Sequence, residues 1–200
     1  RPIVIPRRPL PHKVDTSEGD VAHRVADARS FFGVDGSGQK VCVLSDGVDS
    51  LAAIQASGDL PAVDVLPGQA GSGDEGTAML EIVHDLAPGA TLGFATAFTS
   101  AASFAQNILD LRADGCDIIV DDVLYLDESP FQDTAIAAAV NTVTAAGALY
   151  FSSAGNEGNL NDGTSGTWEG NFTGNGSITG VPGTAHNFGD GGQSILVEAE

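Results

Sequence analysis

The chain has 200 residues, 42% of them hydrophobic and 26 of them glycine, enough for one domain with a real core and too apolar for disorder. Asp and Glu number 27 against 8 Lys and Arg, a formal net charge of -19, which disfavours nucleic acid and anionic membrane surfaces as partners. No apolar run is long enough to span a bilayer, no signal peptide is visible, and no Cys or His spacing suits zinc.

Residues 1–16 read as an extended arm: RPIVIPRRPLPHK is rich in Pro and Arg without periodicity, a linker or a propeptide remnant. The start at Arg rather than Met points to an excised or processed piece. Ser17 to Phe32 predicts a helix, with Val21, Val25, Ala28, Phe31 and Phe32 at helical spacing. Val41-Cys42-Val43-Leu44 follows as a strand buried on both faces. A short helix comes after Asp46-Gly47, then a strand at Val63 to Leu66, then a Gly-rich loop over Gly68 to Gly73. The next elements are a helix from Glu75 to Leu86 stopped by Pro88-Gly89, a strand at Thr91 to Ala97 and a helix at Ser100 to Arg112. A strand at Asp117 to Val123, an Ala-rich helix at Phe131 to Ala146 and a strand at Ala148 to Ser153 complete the series. This alternation predicts an α/β fold, a doubly wound parallel sheet with helices on both faces. Ligands in such sheets bind beyond the carboxyl ends of the strands.

The core so defined spans 17–158. Residues 159–200 form a loop-rich or β-rich excursion with Trp168, Phe172 and Phe188 as scattered anchors, resuming as a strand at Gln193 to Glu198. The sequon matches at Asn171 and Asn175 are ordinary in such loops. Cys42 and Cys116 both sit near the amino ends of strands. They form a disulfide if the strands are neighbours and the protein is secreted, and otherwise are buried thiols.

Three segments place chemistry at strand ends or helix starts. Ser45-Asp46-Gly47 follows the first strand. Asp74-Glu75-Gly76-Thr77 opens the helix that closes in Ala87-Pro88-Gly89-Ala90. Ser152-Ser153-Ala154-Gly155-Asn156-Glu157-Gly158 follows the last strand of the core and presents the Asn156 amide, a fixed N–H donor suited to a developing oxyanion. In this order the segments resemble the subtilisin-like and sedolisin-like serine peptidases over Gly33 to Gly158. The resemblance implies a subtilisin-like fold, hydrolysis of peptide bonds through an acyl-enzyme, and an oxyanion donor at Asn156. It also implies peptide or protein substrates, secretion or another extracytoplasmic location, and structural calcium, although no loop here has calcium-ligand spacing.

The chain departs from both patterns. Glu75 stands where the subtilisin-like pattern has His, as in the sedolisin-like arrangement. Met79 replaces the partner Asp of that arrangement, and Asn156 its oxyanion Asp. A carboxylate can take a proton from a Ser hydroxyl if a second carboxyl holds it in place, and such a pair titrates jointly in the acid range. Asp46 is the first candidate for that orienting carboxyl. Without a gap, however, Ser45 falls at the family's Asp, and a one-residue step reverses the face unless the strand has ended. Asp122 and Asp121, on the strand that by resemblance lines the substrate cleft, compete for the role. His84 lies nine residues past Glu75, on the opposite helix face. Ser165 follows Gly163-Thr164 as the family nucleophile does, but Gly166-Thr167-Trp168 after it cannot open a long apolar helix.

The expectation is therefore the amino-terminal portion of a serine-carboxyl endopeptidase, truncated before the nucleophile helix. Its catalytic set is Glu75, Asp46, Asn156 and Asp122, and it depends on the rest of the parent chain for the Ser. The alternative is a non-catalytic, peptidase-like binding or scaffold module.

Overall fold

The computed structural model describes residues 16–125, 128, 132–156, 161, 171–177, 183–187 and 196–197. The arm over 1–15, Ser165, Trp168 and Phe188 lie outside them. Two compact units divide the chain, one comprising Arg1–Ser129 and Asp133–Gly155, the other Pro130–Gln132 and Asn156–Glu200.

The first unit is an α/β doubly wound fold. Its elements are α1 (Gly19–Ala22), α2 (Val25–Phe32), β1 (Lys40–Ser45), α3 (Leu51–Ser57), β2 (Val63–Val65), α4 (Glu75–Leu86), β3 (Thr91–Thr96), α5 (Ala101–Ala113), β4 (Ile118–Asp121), α6 (Ala135–Ala145) and β5 (Leu149–Ser152). The strands form one five-stranded parallel sheet in the order β2-β3-β1-β4-β5. Strand β1 is central and buried from Val41 to Ser45. Its side chains alternate, so Val41 and Val43 join Leu80, Leu92 and Phe94 under α3 and α4, while Cys42 and Leu44 join Phe104, Ile108 and Ile119 under α5 and α6. The chain runs outward from β1 to β2 and back to β3 with α3 and α4 on the same face. One of those two crossovers is therefore left-handed, against the usual rule.

Cys42 and Cys116 are disulfide-bonded, with Cα atoms 5.9 Å apart. Gly93 is paired with Cys42 across β3, and a Cβ there would stand 2.5 Å from the Cys42 sulfur, so glycine makes room for the bridge.

The single helix expected over Ser17 to Phe32 is two. Arg24 adopts a left-handed backbone with φ 57°, which breaks the helical period between α1 and α2. The apolar stripe read there does not enter the core: Val21, Phe31 and Phe32 are 78%, 70% and 70% exposed. The pair is instead tied down by polar contacts. Arg29 donates to both carboxylate oxygens of Asp20 and to the carbonyls of Asp85 and Leu86 at the end of α4.

In the second unit, β6 (Thr184–Ala185) pairs antiparallel with β7 (Leu196–Val197). The expected strand at Gln193 to Glu198 is thus, in its described part, half of a small ribbon. His186 is buried there, its Nδ1 accepting from the Thr173 backbone N–H at 3.0 Å.

Candidate active site

Two loops meet beyond the carboxyl end of β1, the one that follows the strand and the Gly-rich one that precedes α4. Ser72 N–H donates to the Asp46 carbonyl (3.2 Å), Asp49 N–H to the Gly73 carbonyl (2.9 Å) and Gly73 N–H to the Asp49 carboxylate (2.9 Å). Asp74 takes the backbone N–H and the hydroxyl of Ser50 at 2.6 and 2.9 Å, and these hydrogen bonds hold its carboxyl below the usual range. Close approach is obligatory: a Cβ on Gly76 would meet the Phe94 ring at 2.4 Å and the Gly47 carbonyl at 2.5 Å. These contacts fix where α4 begins, and hence where Glu75 stands.

Asp46 does not orient Glu75, contrary to the expectation. Its Oδ1 accepts from the backbone N–H of Gly47 at 2.5 Å and of Gly76 at 3.2 Å. The Gly76 N–H belongs to the first turn of α4, whose amides have no partner within the helix, so Asp46 caps α4 from the end of β1. It bears on Glu75 through charge alone. The face reversal feared at this step does not arise, because β1 ends at Ser45 and Asp46 lies outside the ladder.

Glu75 has two hydrogen-bonding neighbours. The buried Ser45 hydroxyl donates to its Oε2 at 3.2 Å. Asp122 is the other, close enough to act on the Glu75 carboxyl. Desolvation pushes Glu75 above the usual carboxyl value, the Asp122 hydrogen bond and charge push it further, and the Ser45 hydroxyl pulls the other way. Asp122 follows the last residue of β4. Its N–H donates to the Leu44 carbonyl at 3.3 Å, which continues the β1–β4 pairing one step past the strand. Alternation puts Asp122 on the face of Val120, toward α4, and Asp121 on the opposite face with Ile119.

Asp121 is buried and serves a different cluster. Its Oδ1 accepts from the Ser152 hydroxyl at 2.8 Å, and the Tyr150 hydroxyl lies beside it in looser geometry. Burial raises its carboxyl above the usual range against the lowering effect of Tyr150, Ser152 and the Val123 N–H. These groups line a cavity of about 400 Å³ on the α5/α6 side of the sheet. The strand pairing Asp121↔Ser152 could have signalled the cluster, but it requires the register of β4 on β5, which one sequence does not show. The part played by Ser45 was within reach, since it ends the first strand immediately before Asp46.

Asn156 is exposed and is the first residue of the second unit after Gly155, which takes φ 78°. Among the described residues no group of three or more His, Cys, Asp or Glu side chains is arranged to hold a metal ion, and no helix is long and apolar enough to cross a membrane. No protein-family model matches the chain, and no curated protein matches it.

Proposed function

We propose that this chain carries the acid–base part of a serine-carboxyl endopeptidase, with Glu75 as general base and Asp122 as the carboxyl that shares its proton. The observation that carries the reading is the placement of Glu75 at the first turn of α4, held by the Ser45 hydroxyl, with Asp122 one residue past β4, both at the carboxyl end of the central strands, where parallel sheets bind ligands. Two adjacent carboxyls do not both ionise readily, so the pair holds one proton and one charge over a range of pH. In that state the ionised member accepts the hydroxyl proton of an attacking Ser, and returns it to the leaving amine as the acyl-enzyme forms. The Ser45 hydroxyl orients Glu75. It is not the nucleophile, since Ser45 is 0% exposed and no substrate carbonyl reaches it. The proposal assigns no nucleophile among the residues of this chain, and gives Asn156 the oxyanion role on the resemblance alone. Peptide substrates and an extracytoplasmic setting belong to the same proposal.

One observation favours the second reading, a peptidase-like binding module: the hydroxyl at Glu75 is a buried one, occupying the base where a nucleophile would bind. Casein cleavage by the full-length polypeptide carrying this chain separates the two. The peptidase reading expects cleavage at acid pH that falls at least 100-fold in Glu75→Gln. Cleavage that survives the substitution, or no cleavage by the unsubstituted protein between pH 3 and 7, rejects it.

A further inference from the structure

We propose that the cavity on the α5/α6 side of the sheet binds a small organic cation, an ammonium group carried on an aromatic or branched aliphatic body. The proposal does not rest on the peptidase reading, because alternation sends Asp121 and Asp122 to opposite faces of the sheet.

The volume of about 400 Å³ lies within the range of small-molecule sites, about 300–1,000 Å³. Phe104, Val123, Leu124, Ile136 and Val140 make an apolar wall, and among the described lining residues none is basic. Two carboxyls line the same cavity. Glu128 is already engaged at the start of α6, where its Oε1 accepts from the Thr134 hydroxyl and from the Ile136 N–H at 3.2 Å. Asp121 has no such engagement with a helix. It is held in place by the Ser152 hydroxyl, with the Tyr150 hydroxyl and the Val123 N–H beside it, all of them neutral groups, and no described Lys or Arg pairs with it. A buried carboxylate facing an apolar space without a counter-charge is costly, and a ligand cation removes that cost. The aromatic lining suits the same ligand. Phe104 and Tyr125 stack with centroids 5.9 Å apart, and the Tyr125 hydroxyl is fixed on the Ala97 carbonyl at 2.6 Å, so both rings are held rigidly beside the cavity. The polar end of the ligand therefore meets Asp121, and its body meets the helices.

Calorimetric titration of the chain at pH 7 tests this with four probes: 2-phenylethylammonium, its neutral analogue 2-phenylethanol, anionic 3-phenylpropionate and methylammonium. The expected order has the arylalkylammonium at least tenfold tighter than the alcohol and the carboxylate weakest. Methylammonium, which reports ion pairing with the acidic surface in general, gives no saturable heat. Asp121→Asn is expected to abolish the tenfold preference while leaving the alcohol bound as before. Ala137→Leu, which fills the cavity without touching the carboxyl, is expected to block ammonium and alcohol alike with an unchanged circular dichroism spectrum. Equal affinity for ammonium and alcohol overturns the proposal. So does a cation preference that persists in Asp121→Asn, saturable methylammonium binding, or the absence of binding by every probe.

Discussion

Replacing Cys42 and Cys116 together by alanine tests how the parallel sheet is held. The bridge joins residues 74 apart in sequence, and both sulfurs are buried. Closing a loop of that length removes about 4 kcal/mol of chain entropy from the unfolded state. That is a large share of the ~5–15 kcal/mol by which a domain is stable, so the double variant is expected to remain folded but to open far more often. The backbone amides of Val43 and Leu44 report the effect. They lie in the central strand, flanked by β3 and β4, and exchange with solvent only when the unit opens as a whole. At ~1.4 kcal/mol per decade, their protection should fall by about three decades, measured by hydrogen exchange at constant pH. The void left beside Gly93 adds to the loss rather than reducing it. A fall of less than tenfold would refute the reasoning, and would mean that the unfolded chain is already compact enough to bring these residues together.

The remaining predictions concern the Glu75 site. Asp122→Asn is expected to lower the titration midpoint of Glu75 toward the usual carboxyl value of 4.5, read from the side-chain ¹³C shift, and an unmoved midpoint would show that Asp122 does not share its proton. The stability effect follows with a definite sign. A carboxyl raised in the folded state binds protons more tightly there, so its contribution to stability falls as pH rises above the unfolded value. At pH 3 the substitution should change nothing through this route. At pH 7 it should stabilise, by less than ~1 kcal/mol because Glu75 is exposed to screening solvent. Gly73→Ala should cost about 2 kcal/mol and lower Tm by about 6 °C in calorimetry, since Gly73 takes φ 121° and a Cβ there would stand against Asp46 Oδ2. The same substitution should deprotect the Gly76 amide by displacing its cap. Unchanged exchange at Gly76 would sink the capping role given to Asp46.

Most of the sheet was legible because each element advertises itself locally. A run such as Val41 to Leu44 has no polar face to leave in water, and α4 keeps its expected bounds because Glu75 and Pro88 punctuate it at both ends. The α1–α2 segment misled for an equally local reason. Its apolar spacing was genuine, but Arg29 found better partners at the end of α4 than the phenylalanines could find in the core. The ends of β4 and β5 shifted by one or two residues, and that was enough to move Asp122 out of the strand that was expected to hold it.

By itself the sequence determined the class of fold and the short list of acidic residues from which a site could be built, because hydrophobic period and turn chemistry act over a few residues at a time. Which acid meets which was decided only by the tertiary structure. The Glu75–Asp122 pair joins the start of α4 to the end of β4 through the neighbouring strand β1, and Asp46 was claimed instead by the unpartnered amide of a helix 30 residues downstream. Such pairings depend on strand order and register, quantities set by the packing of the whole sheet rather than by any segment of the chain.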